Sequence, residues 1–183
     1  MADSILFLPT AETVDQPAVL VEGVHHPDAL ASASGEYISA AGSAMLQCST
    51  QRLRTPMHWV WLALESGAMQ LMSDGVSIHF KAGDCCMLPP GTTDIALDVE
   101  QESRILWVMV GGVLASEFMQ RLGAIPRRVM KQGALPSQIN LARHIVQATV
   151  RLQDAQDASS AQLQQLLWAM LASHSGQPVA MDA

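Results

Sequence analysis

The chain has 183 residues, of which 49% are hydrophobic and 15% are charged, and its net charge is −7. This composition supports a packed core and excludes a chain that is disordered throughout. It also predicts weak DNA binding by this chain alone, because DNA-binding domains carry a basic patch that neutralises phosphates.

The N-terminal residues form a distinct segment. An apolar tetrad, residues 5–8, ends at Pro9, and a polar stretch follows. We interpret residues 1–20 as an arm that either docks on the body of the protein or stays loose. The segment lacks the basic region of a secretory signal, and no apolar run reaches the roughly 18 residues of a membrane-spanning helix. We therefore expect a cytoplasmic protein with no membrane partner.

Residues 35–112 show the pattern of short β-strands separated by frequent turns. The expected strands are 57–67, 68–72, 76–80, 85–88, 94–99 and 104–110. The Asp74-Gly75 pair between two apolar runs predicts a hairpin, because both residues can adopt positive φ. Turn signals at a spacing of roughly 8–12 residues are typical of a sandwich or barrel.

After residue 113 the periodicity becomes helical. Ser116 is expected to cap a short helix that ends at Gly123, and Ser137 a longer helix that reaches about residue 153. A capping box of Ser159 and Gln162 predicts the start of a third helix. The apolar residues of this helix form one stripe: Leu163, Leu166, Leu167, Met170 and Leu171. Strands followed by helices predict an α+β fold with the helices at one side.

The three cysteines do not form a standard cluster. Cys85 and Cys86 are adjacent, Cys48 is distant, and no CxxC spacing occurs. The odd count argues against a disulfide framework or a zinc cluster. We interpret them as free thiols packed in a strand, with a redox role for the adjacent pair as the alternative.

One short basic cluster, Arg127, Arg128 and Lys131, interrupts the acidic chain. Such clusters are usually solvated faces, so we interpret this one as an exposed turn.

Residues 83–94 carry the motif that bears most on the fold. They read glycine, five residues, proline, one residue, glycine, two residues and Asp94. This spacing resembles the second cupin motif, with Asp94 at its histidine position and Asp98 at its asparagine position. The first cupin motif would supply two more histidines, but here it offers His58 alone, and His79 has no partner at ligand spacing. Since a metal needs at least three converging ligands, we expect neither a metal nor a cofactor.

A longer stretch, residues 40–123, resembles the N-terminal domain of AraC-family transcription regulators. The likeness is carried by Gly67, the Asp74-Gly75 hairpin, and the segments 81–94 and 104–112. The resemblance implies a cupin-like jelly-roll barrel, a double-stranded β-helix, that holds a small effector and precedes helices that dimerise the protein. It also implies a second domain with helix-turn-helix motifs, through which alone DNA would be bound. Nothing in this chain matches that domain.

The resemblance divides the chain into four parts. We expect an arm at 1–20, an effector-binding barrel at 21–112, a helical dimerisation region at 113–176 and the start of a linker at 177–183. The linker-like end favours a truncated regulator over a stand-alone sensor.

The resemblance and the strand pattern together suggest residues that contact the effector. Arg52 falls where a sugar-binding regulator uses an arginine, and Trp107 where it places a stacking tryptophan. The full set of candidate ligand-binding residues is Arg52, Arg54, His58, Trp59, Asp94 and Trp107. An arginine near a strand start is often a solvated charge, and a tryptophan in a β-core often serves packing alone. The residues fit a sugar, an organic acid, an amine or an aromatic molecule equally.

We therefore expect a sensor and not an enzyme. Effector binding would shift the docking of the arm and the geometry of a homodimer, which the apolar stripe of the last helix would form. The first alternative is a cupin enzyme, an isomerase, epimerase or metal-dependent dioxygenase. Its acid–base pair would come from these residues: Asp84, Asp94 or Asp98 with His58 or His79. The second alternative is a dimerisation module without a ligand, which a barrel filled by its own side chains would favour.

Overall fold

A computed structural model describes residues 19–24, 35–53, 57–92, 95–125, 128–154 and 160–175. The predicted arm, apart from residues 19 and 20, and the predicted linker lie outside these ranges. Among the described residues, no helix has the length and the apolar character needed to cross a membrane.

The described strands form two antiparallel sheets. They are β1 (Val19–Val24), β2 (Tyr37–Leu46), β3 (Thr50–Arg52), β4 (Trp59–Ser66), β5 (Ala68–Ser73), β6 (Val76–Lys81), β7 (Asp84–Leu88), β8 (Ala96–Val99), β9 (Ser103–Gly111) and β10 (Met130–Gly133). The larger sheet has the order β1-β2-β9-β4-β7-β10, and the smaller one has the order β3-β8-β5-β6. Three helices follow β9 in the chain: α1 (Ala115–Arg121), α2 (Pro136–Asp154) and α3 (Ser160–Ser175). The predicted α+β class is therefore confirmed.

The central strands of the larger sheet are buried on both faces. Along β4, Trp59, Trp61 and Ala63 pack into a cluster with the helices. The alternate residues Val60, Leu62 and Leu64 pack into a second cluster with the smaller sheet. A strand covered on both sides needs apolar residues at every position, which explains the continuous apolar run in the sequence.

The hairpin predicted at Asp74-Gly75 is confirmed. These residues connect β5 to β6 with φ angles of 49° and 76°. Positive φ at both central positions matches the right-handed twist of the two strands.

The helix starts differ from those expected. Ser116 lies inside α1 and makes no cap; its Oγ accepts a hydrogen bond from Trp59 Nε1 at 3.0 Å. Ser137 does not cap α2 either, since this helix begins at Pro136. The Gln138 side chain closes that end by accepting the Leu135 N–H at 2.9 Å. Proline at the first helical position and a side chain reaching back from the third are both favourable starts.

The helical layer is fixed to the larger sheet by close packing and by an ion-pair group. Helix α2 approaches β1 so closely that a Cβ at Gly23 would lie 2.8 Å from the Thr149 carbonyl carbon. Arg143 of α2 donates to Glu65 of β4, which also pairs with Arg104 of β9 at 3.1 Å. Glu65 thereby joins one helix to two strands.

Two strands lie outside residues 35–112, the region for which β-structure was expected. Strand β1 begins inside the predicted arm and forms one edge of the larger sheet by pairing with β2. Strand β10 lies in the predicted connector and forms the opposite edge by pairing with β7. Its sequence, MKQG, has no strand pattern, so the pairing with β7 defines it.

The space between the two sheets is closed around one aromatic ring. Trp107 of β9 is fully buried and pairs with Gly42 of β2. A Cβ at Gly42 would lie 2.6 Å from Trp107 Cε2 and 2.7 Å from the Val21 carbonyl oxygen. The glycine therefore provides the room that the indole occupies.

Replacing this glycine is expected to destabilise the fold. We expect Gly42→Ala to lower the free energy of unfolding by about 1–3 kcal/mol, the usual cost of overpacking a core. Urea denaturation measures the change, and Gly133→Ala is the control because a Cβ there meets no atom within 4 Å. Equal stabilities of the two variants would show that the indole does not depend on the missing side chain.

Candidate functional site

The interior between the sheets is occupied by the chain's own side chains. The largest of those fully buried there are Leu46, Leu62, Leu64, Met69, Leu71, Leu88, Leu97, Ile105 and Trp107. These side chains occupy the centre of the core, and an open cavity lies at its boundary.

An open cavity of about 400 Å³ lies between the two sheet edges formed by β6 and β10. The β5–β6 hairpin and the turn that follows β7 complete its wall. The lining residues are Ser73, Asp74, Val76, Ile78, Thr92, Arg128, Val129 and Lys131. A jelly roll whose two sheets do not join at this side leaves such a gap, because neither edge strand has a further partner among the described strands.

The apolar part of the cavity is continuous with the inner core. Ile78 and Val129 are partly buried and pack against the cluster that contains Trp107. Val76 lies on the same face of β6 as Ile78 and is more exposed, with 59% of its surface accessible. A ligand body resting on these three side chains would remove apolar surface from water.

One polar group of the lining is buried without a partner. Ser73 is 6% exposed, and its Oγ makes no hydrogen bond. The hydroxyl of Thr92 is used differently, since it donates to the Pro89 carbonyl at 2.7 Å and fixes the turn. Leaving a buried hydroxyl unsatisfied costs about 1–3 kcal/mol, so Ser73 marks the place where a ligand atom would be favoured.

The two cationic side chains at the cavity also differ in whether they are ion-paired. Lys131 Nζ pairs with Asp84 Oδ2 at 3.3 Å, and the same carboxylate oxygen accepts the Lys81 N–H at 2.9 Å. Arg128 is exposed and makes no ion pair with another described residue. Asp84 therefore stabilises the turn before β7 through its bond to the Lys81 backbone.

Arg128 and Lys131 of the basic cluster are exposed as expected, but Lys131 lies in strand β10 and not in a turn. Arg128 lies two residues before that strand. Both side chains line the cavity. Arg127 lies outside the described residues. The pairing of β10 with β7 positions the two cations, and this contact between distant segments leaves no local signal in the sequence.

The tryptophans and the arginine predicted to bind ligand lie apart from one another. Arg52 is exposed on the outer face of the smaller sheet, between Gln51 and Leu53, which are buried. Trp59 packs on the helix side of the larger sheet, whereas Trp107 faces the inner core. These three side chains therefore do not converge on one site.

Of the remaining predicted ligand contacts, the structure describes His58, which is not among the described residues that line the cavity. His58 is half-buried; its Nδ1 is hydrogen-bonded to Ser39 Oγ at 3.3 Å, and its ring meets the edge of Tyr37. Arg54 and Asp94 lie outside the described residues. Ser73 and Arg128 were missed because neither belongs to a motif.

The apolar stripe of α3 is covered within the chain. Leu163, Leu167, Met170 and Leu171 are buried in the cluster that joins the helices to the larger sheet, and Leu166 packs partly against it. Trp168, on another side of the helix, is 47% exposed. The stripe thus contributes to the fold of one subunit.

No group of three or more histidine, cysteine, aspartate or glutamate residues is arranged to hold a metal within the part of the chain that the structure describes. His79 is exposed and pairs with Glu100 at 3.5 Å on the outer face of the smaller sheet.

The adjacent cysteines are held as neutral thiols. Both are buried, Cys85 on the helix side and Cys86 in the inner core. Burial, with a smaller contribution from Asp84, raises the pKa of Cys85 from its ordinary value of 9.0 to about 12, although Trp61 opposes the shift. Burial also raises the pKa of Cys86 well above its ordinary value. Because the thiolate is the reactive form, this setting does not suit a redox pair.

These shifts predict how the thiols react and how stability depends on pH. Only Cys48, which is exposed, should react rapidly with Ellman's reagent in the native protein. Above pH 9.0 the unfolded chain releases protons that folded Cys85 and Cys86 retain, up to about pH 12 for Cys85. The free energy of unfolding should therefore fall by roughly 1.4 kcal/mol per pH unit for each thiol.

The comparison with Cys85→Ala separates this effect from lysine and tyrosine titration in the same range. The variant should lose less stability between pH 9.0 and about 12 than the parent protein. Identical losses, or three rapidly reacting thiols in the native protein, would contradict the assignment.

Comparison with known proteins supports the fold. A model of the AraC-like ligand binding domain matches residues 37–171, whereas no curated protein sequence matches the chain. Apo ToxT from Vibrio cholerae aligns with a TM-score of 0.51 and 10% identity, over 74% of this chain and 54% of that one. The chain thus spans about half the length of ToxT.

Two further solved structures have lower TM-scores. YhaK from Escherichia coli aligns at 0.46 with 12% identity, over 63% of this chain and 51% of that one. EutQ from Clostridium difficile aligns at 0.41 with 17% identity, over 56% of this chain and 74% of that one. The family match extends from β2 into α3 and includes the smaller sheet, the larger sheet apart from β1, and the helical layer. The chain belongs to the family of AraC-like ligand-binding domains, and the resemblance noted in its sequence is confirmed.

Proposed function

We propose that this domain senses a small molecule in the cavity between β6 and β10 and regulates transcription as part of an AraC-type regulator. The cavity of about 400 Å³ carries the proposal, because it adjoins the core and is lined by both apolar and polar groups. Ligand sites generally combine a mostly apolar wall with a few placed polar groups. DNA binding would require a separate domain, since nothing in the acidic chain matches a recognition helix, and the regulator would act in the cytoplasm.

We further propose that the domain binds its ligand without transforming it. A serine nucleophile needs a neighbouring base that accepts its proton. Ser73, which lines the cavity, makes no hydrogen bond through Oγ. The other polar groups among the described lining residues are the cations Arg128 and Lys131, the carboxylate of Asp74 and the hydroxyl of Thr92. This set suits recognition better than proton transfer.

One observation favours a second candidate, a dimerisation module without an effector. The inner core is filled by the chain's own side chains, including Trp107 and Met69. A module of this kind would gain stability from packing alone. It differs from the first candidate in predicting that no small molecule stabilises the native state.

The arm, residues 1–20, remains part of the proposal. It leads into β1, whose Val19 and Val21 are exposed at the edge of the larger sheet. An effector that favours one docking mode of the arm would shift the population of the two states, and only a difference in affinity can do this. Deletion of residues 1–12 should then change effector affinity or dimerisation.

We place the dimer contact on the exposed side of α3. Its exposed described residues are Gln165, Trp168, Ala169 and Ala172, and none is charged. A groove of about 130 Å³ beside Trp168 is lined by Glu36, Leu114, Glu117, Phe118 and Arg121 as well. In a two-fold dimer, Trp168 of each subunit could fill the groove of the other. An uncharged helix face with a half-exposed tryptophan fits such an interface.

A thermal-shift screen against metabolites tests the sensing proposal. A ligand at one hundred times its Kd adds about 2.7 kcal/mol, which corresponds to roughly 5–10 °C in Tm. Val76→Trp should abolish the shift by filling the cavity. Ser77→Trp, on the other face of β6, should preserve it. A hit that survives Val76→Trp would move the site elsewhere, and a complete absence of hits would favour the module without an effector.

Sedimentation equilibrium tests the dimer proposal. Trp168→Glu should weaken the dimer by about tenfold or more, because a charge would be buried in the interface. Ser77→Glu introduces the same charge on the smaller sheet and should leave the association unchanged. Leu167→Asp is a poorer test, since Leu167 is fully buried within one chain and its replacement would unfold the subunit. A fully dimeric Trp168→Glu protein would contradict the placement.

A further inference from the structure

The chemistry of the cavity restricts the kind of molecule that it can bind, if it is the effector site proposed above. Its buried hydroxyl, Ser73 Oγ, has no partner and lies in a residue that is 6% exposed. A serine hydroxyl both donates and accepts, and a ligand oxygen is the simplest acceptor for its proton. The ligand therefore carries a polar group at the β5–β6 hairpin end of the cavity.

The cations of the cavity show the sign of charge that this group carries. Arg128 makes no ion pair with another described residue, whereas Lys131 is held by Asp84 at 3.3 Å. Asp74, the acid of the lining, is already engaged in an interaction of its own. Arg128 is thus the charge available to a ligand, and its planar guanidinium suits a carboxylate, which accepts two parallel hydrogen bonds.

The rest of the lining determines the body of the ligand. Val76, Ile78 and Val129 present apolar surface, and the last two are continuous with the inner core. A wholly polar anion such as inorganic phosphate would leave this surface without a partner. A molecule with an acidic end and an apolar body would satisfy both parts of the cavity.

We propose that the cavity binds a small organic acid, whose carboxylate is held by Arg128 and by the Ser73 hydroxyl and whose apolar body rests on Val76, Ile78 and Val129. Specificity would come from the acidic end, because the hydroxyl and the guanidinium both donate hydrogen bonds and a carboxylate accepts both with the added attraction of opposite charge. The assignment rests on the proposed function and extends it to a class of effector.

Three probes that differ at one end test this assignment: hexanoate, hexan-1-ol and hexylamine. Ligand-observed NMR titrations of the full chain give their dissociation constants. Hexanoate should bind at least about tenfold more tightly than hexan-1-ol, the value expected for a charge-assisted hydrogen bond, and hexylamine should bind most weakly. Benzoate, benzyl alcohol and benzylamine repeat the comparison with an aromatic body.

Two variants identify the groups responsible. Arg128→Gln should weaken hexanoate by about tenfold or more and leave hexan-1-ol unchanged, and Ser73→Ala should weaken hexanoate by a smaller factor. Arg52→Gln removes an exposed arginine on the outer face of the smaller sheet and should change neither. Raising the salt concentration should weaken the binding of hexanoate and should not weaken the binding of the other two probes.

The outcomes separate this assignment from the sensing proposal. If the alcohols and amines bind as tightly as the acids and Val76→Trp blocks them all, the cavity remains the effector site and the carboxylate assignment is wrong. An unchanged hexanoate affinity in Arg128→Gln would also overturn it. If no probe of either series binds up to millimolar concentration, the acid assignment fails, whereas hits in the metabolite screen would still support sensing.

Discussion

The contact between Trp107 and Gly42 determines where this domain has space for a ligand. The indole lies across a neighbouring strand that has no side chain at that position, and a Cβ there would lie 2.6 Å from Trp107 Cε2. The ring and the buried side chains around it occupy the centre of the space between the sheets. The cavity proposed as the effector site lies at the side where the edges β6 and β10 of the two sheets do not pair.

The described helices contribute no residue to the lining of this cavity. They cover one face of the larger sheet and bury Trp59 and Trp61 there, and Glu65 connects α2 to β4 and β9 through Arg143 and Arg104. The outer face of the smaller sheet carries polar residues such as His79 and is open to solvent. The gap between β6 and β10 adjoins both the core and the solvent, and this setting supports its proposed role as the effector site.

Local signals in the sequence predicted the local structure well. The Asp74-Gly75 turn, the strands from β4 to β9 and the helical periodicity after residue 113 depend on neighbouring residues alone, and each is found. The face of each tryptophan was not predictable in this way. In a strand that is apolar at every position, alternation carries no information about which face meets the helices.

The cavity depends on pairings between distant segments. Strand β10 has no pattern of its own, and Arg128 and Lys131 reach the cavity only because β10 pairs with β7. The stripe of α3 presents a similar ambiguity, since the same spacing of leucines suits packing on the chain's own sheet and packing against a second subunit. Leu163 and Leu167 are buried within the chain, so these two leucines pack on the chain's own sheet.

A single two-dimensional ¹H–¹⁵N spectrum of the protein, recorded with and without a stabilising metabolite, tests the account most directly. It contains the indole N–H signals of all four tryptophans and the backbone amides of both edge strands. We expect the amides of residues 73–78 and 128–131 to shift while the Trp107 indole stays where it is. A large shift of the Trp107 indole, with the amides of β6 and β10 unmoved, would place the ligand inside the barrel and contradict the account.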